Sequence, residues 1–490
     1  MRRYITTTLP YVNADPHIGF ALEVLQADAL ARSWRLGGDD VFFNAGADEH
    51  GQKILQAAQK AGDEPQTYVD RYAAEFSKLR DALSLTFDSF IRTTDPAHHA
   101  AAQEMWRRCE ATGDIYKKSY TGLYCVGCEA FKTEKEIADG KCPLHPNLAL
   151  ETVTEENYFF RFSKYQDRLI EYLAREDSVI PDWRRGEAIN FVKGGLEDFS
   201  ISRERSRLSW GVPVPTDDAQ VMYVWFDALT SYISALGWPE DAAGNFKKYW
   251  EDGKTLQMAG KDQVRFQSLM WQAMLMSAQI KNTDQIFYHG FINSGGQKMS
   301  KSLGNVISPY ELITKYGTEA TRYLLLRHVH PVDDADVTWE RLDEWYTANL
   351  TNGLGNLVAR VMQLAEKNLE SPIAPEGSFK DVLHLRSLKE VGAGMHLNVS
   401  YGEALEHFEF QNALGLIWGR IQVLDESITH GEPFKVVKAD PEKGKQMIKS
   451  AAADLYIIGL LLEPFMPATS GAIREAVLAN KKPGNLFPRL

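Results

Sequence analysis

The sequence predicts an α/β protein: a doubly wound parallel sheet, interrupted by a metal-binding insert and followed by an all-α bundle. Three observations predict it. A strand–turn–helix–strand pattern opens the chain, a Cys/His cluster breaks the α/β pattern roughly from residue 115 to 198, and strand-like sequence stops after about residue 345.

The opening "RRYITTTL" is rich in β-branched residues and reads as a strand, broken by Pro10, Asn13, Asp15 and Pro16. "IGFALEVLQADALARSWRL" follows with helical spacing and stops at Gly37-Gly38. The apolar run "DVFFNAGADEHG" then reads as a second strand with a polar end. In an open parallel sheet ligands sit beyond the carboxyl ends of the strands, which places His17 and the cluster Asp48, Glu49, His50 on one rim. The chain holds neither G-x-G-x-x-G nor G-x-x-x-x-G-K-[ST], so a dinucleotide fingerprint and a P-loop are excluded.

In the insert, Cys125, Cys128, Cys142 and His145 are spaced C-x2-C-x13-C-x2-H, while Cys109 lies outside the group. Each short pair forms one turn with two soft ligands, the pattern of a tetrahedral, structural Zn2+ site. Four protein ligands leave no open position, so the metal is expected to do no chemistry. Strand-like, catalytic-looking sequence resumes with "VMYVWFDALTSY", "LQMAGKDQVRFQSLMWQAML" and "QIFYHGFINSGGQKMSKS". Beyond it, "NLTNGLGNLVARVMQLAEK", "YGEALEHFEFQNALGLIWGRIQVLDESI" and "KSAAADLYIIGLLLEPFMPATSGAIREAV" are long amphipathic segments of a helical bundle.

Composition sets outer limits. The 490 residues, 44% hydrophobic and 24% charged, suit two to four globular domains. A net charge of −12 disfavours broad nonspecific polyanion binding and leaves room for a local basic surface. The N-terminus lacks the apolar run of a secretory signal, and no stretch of about 18 apolar residues occurs, so a cytoplasmic protein with no membrane partner is expected. The chain closes on the bundle at Leu490, which points to a monomer.

Two short stretches carry chemistry. His17 stands at the turn into the first helix, where free N–H groups and the dipole attract anions; a histidine there is also a common cap. "GGQKMSKSLGN" sets Lys298 and Lys301 on a glycine-rich segment, either a solvated loop or a mobile arm that closes over phosphates.

Found together and in order, "PHIGF" and "KMSKS" resemble the HIGH and KMSKS motifs of class I aminoacyl-tRNA synthetases. The flanking "TTTLPYVNADPHIG", "AGADEHGQKI", "YVWFDALTSY" and "GKDQVRFQ" are similar to the methionyl-tRNA synthetase family in particular, and the resemblance spans nearly the entire chain. It implies a Rossmann-like catalytic domain over 1–114 and 199–290, a connective insert with a zinc knuckle over 115–198, a KMSKS loop and stem-contact region over 291–345, and an anticodon-binding helical domain over 346–490. The implied reaction is ATP-dependent activation of L-methionine to methionyl adenylate and transfer to tRNA(Met), for initiation and elongation.

The resemblance also implies roles. ATP with Mg2+ falls to His17, Gly19, Phe20, Gly260, Asp262, Lys298, Met299, Ser300, Lys301 and Ser302, with His17, Lys298 and Lys301 stabilising charge on the phosphates. Methionine falls to Leu9, Tyr11, Trp225, Ala228, Tyr232, Gln263 and Gln267, with Asp48 on its amino group. An aromatic box suits a flexible, polarizable thioether. The tRNA acceptor end and anticodon are further partners, the anticodon read by Asn356, Arg360 and Phe434. Four positions depart from the family pattern: Phe20 replaces the second His of HIGH, Gln263 and Gln267 stand where many members have Ile and His, and Phe434 stands for a stacking Trp. With Phe20 there, the lysine loop is expected to carry more of the phosphate charge.

The alternatives are another class I synthetase of the same subgroup, for Leu, Ile, Val or Cys, a class I-like nucleotidyltransferase, or a tRNA binder that has lost catalysis. The insert is too small for the editing domain of the branched-chain enzymes, needed because one methylene discriminates by only about 1–3 kcal/mol. A cysteine enzyme would need an open metal position for the substrate thiolate.

Overall fold

The computed structural model describes residues 1–128, 130–132, 134–299, 304–375, 377–386 and 399–490. It packs as two compact units. One comprises Met1–Pro16, Val41–Lys78 and Phe87–His289, the other His17–Asp40, Leu79–Thr86 and Gly290–Leu490.

The first unit is built on a six-stranded sheet of β1 (Arg2–Thr7), β2 (Asp40–Ala47), β3 (Ser89–Arg92), β4 (Val179–Ile180), β5 (Lys254–Gly260) and β6 (Gln285–His289), in the order β3-β2-β1-β5-β6-β4. β1 pairs with β5 in parallel from Arg3↔Lys254 to Thr7↔Met258, and β5–β6, β6–β4 and β2–β3 are parallel too. Both β1 and β5 bury consecutive residues and so both faces, with Thr6, Thr7, Thr255 and Gln257 among the buried side chains. Strand order reverses between β1 and β5, and the crevice beyond their carboxyl ends is where such a sheet binds its ligands.

One reading of the sequence needs correcting. "VWFDALTSY" looks strand-like, yet Val224–Ser234 is a helix that follows the short strand Asp217–Met222. It is buried almost all round, so the apolar–polar alternation that separates helix from strand is absent. The insert is an antiparallel sheet in which Ile115–Cys125 pairs with Glu151–Phe160 from Ile115↔Phe160 to Tyr124↔Glu151. This long hairpin sets Cys125 at a strand end.

The second unit joins the first helix, Ile18–Leu36, to Thr318–His328, Asn356–Asn368, Phe410–Gly431, Pro441–Leu462 and Pro467–Ala479. The first helix is buried without a break from Ala21 to Ala31, Asp28 included. A buried carboxylate needs charged partners, and Asp28 has them: Arg32 Nε at 2.7 Å, Arg322 Nη2 at 2.8 Å, and the Thr86 N–H and hydroxyl, each at 2.7 Å. Arg322, itself fully buried, spends its other donors on the carbonyls of Phe465, Leu83 and Pro464 at 2.7, 2.9 and 3.0 Å. Burial opposes ionisation of Asp28, but Arg322 and then Arg32 hold it below the usual carboxylate range. Among the described residues no helix is long and apolar enough to cross a membrane.

Candidate active site

Beyond the formal ends of β1 and β2, Tyr11 and Asp48 continue the pairing as a parallel bridge. Asp48 N–H donates to Pro10 O at 3.0 Å and Val12 N–H to Asp48 O at 3.3 Å. This brings Leu9, Tyr11 and Asp48 side by side on the rim, with Asp48 only 2% exposed. The helix Val224–Ser234 contributes Trp225, Ala228 and Tyr232, at i, i+3 and i+7 and so on one face. Leu9, Tyr11, Trp225 and Tyr232 belong to one apolar cluster with Phe266, on which Trp225 stacks flat with ring centroids 3.8 Å apart. Gln267 is buried beside them and donates from Nε2 to the Tyr232 hydroxyl at 2.8 Å. Trp225 Nε1 and Gln267 Oε1 are buried without a hydrogen-bond partner. Each such group costs about 1–3 kcal/mol, a cost that a polar ligand atom would relieve. Gly260 closes β5, Asp262 is exposed in the turn after it, and Gln263 is half-buried.

Asp48, Glu49 and His50 all follow the carboxyl end of β2, as the sequence reading expects, but the side chains of Glu49 and His50 are taken up by protein partners. Glu49 accepts a bidentate pair from Arg92 at 2.6 and 2.9 Å and a hydrogen bond from Thr94, and burial lifts its carboxyl above the ordinary value. His50 turns inward to Asp227, Nδ1 to Oδ2 at 2.6 Å. The other oxygen of Asp227 takes His98 Nε2 at 2.7 Å. Sequence reasoning missed Asp227 and His98; the signal was one carboxylate inside the apolar run "VWFDALTSY".

In the second unit, His17 caps the first helix, its Nδ1 accepting from Gly19 N–H at 3.0 Å. A Cβ on Gly19 would meet the His17 ring at 2.8 Å, so this glycine makes room for the histidine's own cap. Ile18 N–H donates to Ile307 O at 3.1 Å, which brings the stretch after the second motif against the start of this helix. Phe20 is half-buried. Gly295 and Gly296, at φ +64° and +74°, make the tight turn that joins Ile292–Ser294 to Gln297–Lys298 as a hairpin. Met299 is half-buried; Ser300, Lys301 and Ser302 lie outside the described residues, and of Lys298 only the strand position is described. Asn356 is exposed at the start of its helix, and Arg360, one turn on, reaches Asp425 at 2.6 Å. Phe434 is 43% exposed.

The Cys/His group closes as expected. The ligand atoms of Cys125, Cys128, Cys142 and His145 lie within 4.8 Å of one another. Cys128 Sγ is 3.5 Å from Cys142 Sγ and 3.3 Å from His145 Nδ1, which lies 3.8 and 3.9 Å from Cys125 and Cys142. The ligands of a tetrahedral zinc ion stand roughly 3.6–3.8 Å apart, so these residues fit one. A Cβ at Gly127 would meet the His145 ring at 2.5 Å, and glycine there lets the histidine close the group.

The parallel sheet with its switch-point crevice is the fold of the catalytic domain of a class I aminoacyl-tRNA synthetase. Residues 3–362 match the family model described as tRNA synthetases class I (M). The chain is 42% identical to the methionine–tRNA ligase of Thermosynechococcus vestitus over 96% of its length and 88% of that protein, and 39% identical to that of Brucella suis over 98% and 92%. Its fold is similar to Mycobacterium tuberculosis methionyl-tRNA synthetase in complex with methionyl-adenylate, with a TM-score of 0.86, 36% identity, and coverage of 100% and 98% of the two chains. The chain belongs to the methionyl-tRNA synthetase family. It uses ATP to activate methionine as the adenylate and passes it to tRNA(Met), with release of AMP. Among the alternatives from the subgroup, the family match decides for methionine.

Proposed function

We propose the following division of labour for that reaction. Leu9, Tyr11, Trp225, Ala228, Tyr232, Gln263 and Gln267 enclose the methionine side chain, and Asp48 pairs with its α-amino group. His17, Gly19, Phe20, Gly260, Asp262, Lys298, Met299, Ser300, Lys301 and Ser302 hold ATP, which arrives with Mg2+. The methionine carboxylate attacks the α-phosphorus, the bond to pyrophosphate breaks, and the adenylate forms. His17, Lys298 and Lys301 stabilise the charge that gathers on the leaving phosphates; positioning and charge account for most of such a transfer. The 2′- or 3′-hydroxyl of the terminal adenosine of tRNA then displaces AMP. Asn356, Arg360 and Phe434 read the anticodon, the phenyl ring stacking on a base. Cys125, Cys128, Cys142 and His145 hold one structural Zn2+, whose chemistry is to cross-link the insert. The catalytic domain spans 1–114 and 199–290, the insert 115–198, the KMSKS region 291–345 and the anticodon domain 346–490, in a cytoplasmic monomer.

The observation that carries this reading is the Tyr11–Asp48 bridge, which sets an acid and an aromatic box on the rim of a single switch-point sheet. Single-turnover adenylate formation tests it. Lys298→Ala and Lys301→Ala are expected to slow the step by at least tenfold with methionine affinity unchanged; unchanged rates reject the role of the lysines. ATP–pyrophosphate exchange that prefers leucine or cysteine rejects the pocket.

A further inference from the structure

The methionine pocket leaves one buried group unused, the carboxylate of Asp227, fully buried on the helix that carries Trp225, Ala228 and Tyr232. We propose that Asp227 is a positioning residue that sets the distance between the contact for the amino group and the box for the side chain. The proposal rests on the pocket assigned above and extends it to a residue that touches no substrate.

The geometry is that of a brace between three elements. Asp227 Oδ2 accepts from His50 Nδ1 at 2.6 Å, and His50 is two residues beyond Asp48 in the turn after β2. Asp227 Oδ1 accepts from His98 Nε2 at 2.7 Å, on the helix Pro96–Ala111. A carboxylate only accepts, so each imidazole carries its proton on the nitrogen that faces Asp227. The other ring nitrogen of His98, Nδ1, lies 2.8 Å from Ser234 Oγ, two turns along the helix of Asp227. His98 therefore grips the pocket helix at both ends, and His50 ties it to the rim turn. Burial opposes the charge on Asp227, and the two histidines hold the carboxyl well below the usual range. All four side chains are buried, so no water competes for these bonds.

Consequently the separation of Asp48 from the Trp225–Tyr232 face is set by a single carboxylate. Selection for the length of the substrate side chain depends on that separation, because the amino group is anchored at one end and the thioether at the other.

Amino-acid-dependent ATP–pyrophosphate exchange, run with methionine and with ethionine, its homologue longer by one methylene, tests the idea. Asp227→Asn keeps the shape, but its amide nitrogen confronts one of the two imidazole N–H groups. It is expected to raise KM for methionine at least tenfold, leave KM for ATP within twofold, and shrink the preference for methionine over ethionine at least fivefold. His98→Gln keeps a donor for Asp227 and loses the Ser234 bond, so a smaller change in the same direction is expected; it decides the matter if Asp227→Asn does not fold. A lower melting temperature with methionine KM and the methionine-to-ethionine ratio unchanged makes the brace merely structural and overturns the proposal. Trp225→Ala and Asp48→Asn separate the two levels: if these also leave methionine KM unchanged, the pocket reading has failed; if they raise it and Asp227→Asn does not, the positioning role alone has failed.

Discussion

Asp227 and Asp28 are both fully buried carboxylates, one in each unit, and they are satisfied by different chemistry. Asp28 faces guanidinium groups and Thr86, whereas Asp227 faces two imidazoles. A guanidinium stays charged at every accessible pH, and its planar fork can fill several acceptors at once. Arg322 does so, tying Asp28 on the first helix to the carbonyls of Leu83, Pro464 and Phe465. An imidazole offers one directed bond on each side and joins two elements as a link in a chain. The first arrangement is a fixed anchor under the helix that His17 caps. The second is a set of aimed contacts behind a pocket whose spacing matters.

The widest separation between the two comes from removing a partner. Arg322→Met leaves Asp28 buried with less charge compensation and strands three carbonyls, a defect of about 3–5 kcal/mol. The outcome is a large fall in thermal midpoint or an insoluble protein. A midpoint within a degree or two of the parent would show that Arg32 and Thr86 suffice and that the anchor is not needed.

A histidine in the second unit sharpens the contrast, because it lacks a carboxylate. His328 stacks on Trp345 with centroids 4.2 Å apart and planes 3° from parallel, and its Nε2 lies 3.3 Å from Asn349 Nδ2. Burial, and then the neighbouring Arg327, push its pKa down to about 3. The unfolded chain takes up a proton near pH 6.5 that the folded chain refuses, so stability is lost as pH falls from about 6.5 towards 3. By pH 4.5 the loss reaches about 2–3 kcal/mol. His328→Phe keeps the stack and removes the proton site, so denaturant unfolding at pH 7 and pH 4.5 is expected to differ by that much less in the variant. Parallel profiles would remove His328 from the acid response.

Much of this was legible in the sequence, and what was not has physical causes. The first helix was read residue for residue as Ile18–Leu36, because Gly37 ends it. The knuckle was legible because ligand spacing is local. Asp48, Trp225, Ala228 and Tyr232 were named from resemblance, and the structure shows what holds Asp48 beside Tyr11. The Asp227 brace was not legible, since His50, His98 and Asp227 are separated by 48 and 129 residues and only the packed sheet brings them together. The helix Val224–Ser234 was obscured for the same reason that it matters: burial on every side erases its periodicity.

The smallest effect concerns the histidine beside the brace. His99 follows His98, its ring lies 5.2 Å from that of His50, and its Nε2 is buried with no hydrogen-bond partner. Burial, and then His50, lower its pKa by more than the charge of nearby Asp227 raises it. The sign follows that of His328: the folded state binds the proton less readily than the unfolded state, so His99 costs stability as pH falls through its ordinary range. His99→Phe fills similar space, removes the unsatisfied nitrogen and is expected to gain about 0.5–1 kcal/mol, more at pH 5.5 than at pH 8. His98, its neighbour in the chain, responds the other way, since His98→Phe strips Asp227 of a donor. Paired thermal melts of the two variants at both pH values read this difference directly. A loss at His99 equal to that at His98 would mean that the whole histidine cluster supports Asp227, and that the brace is broader than two aimed bonds.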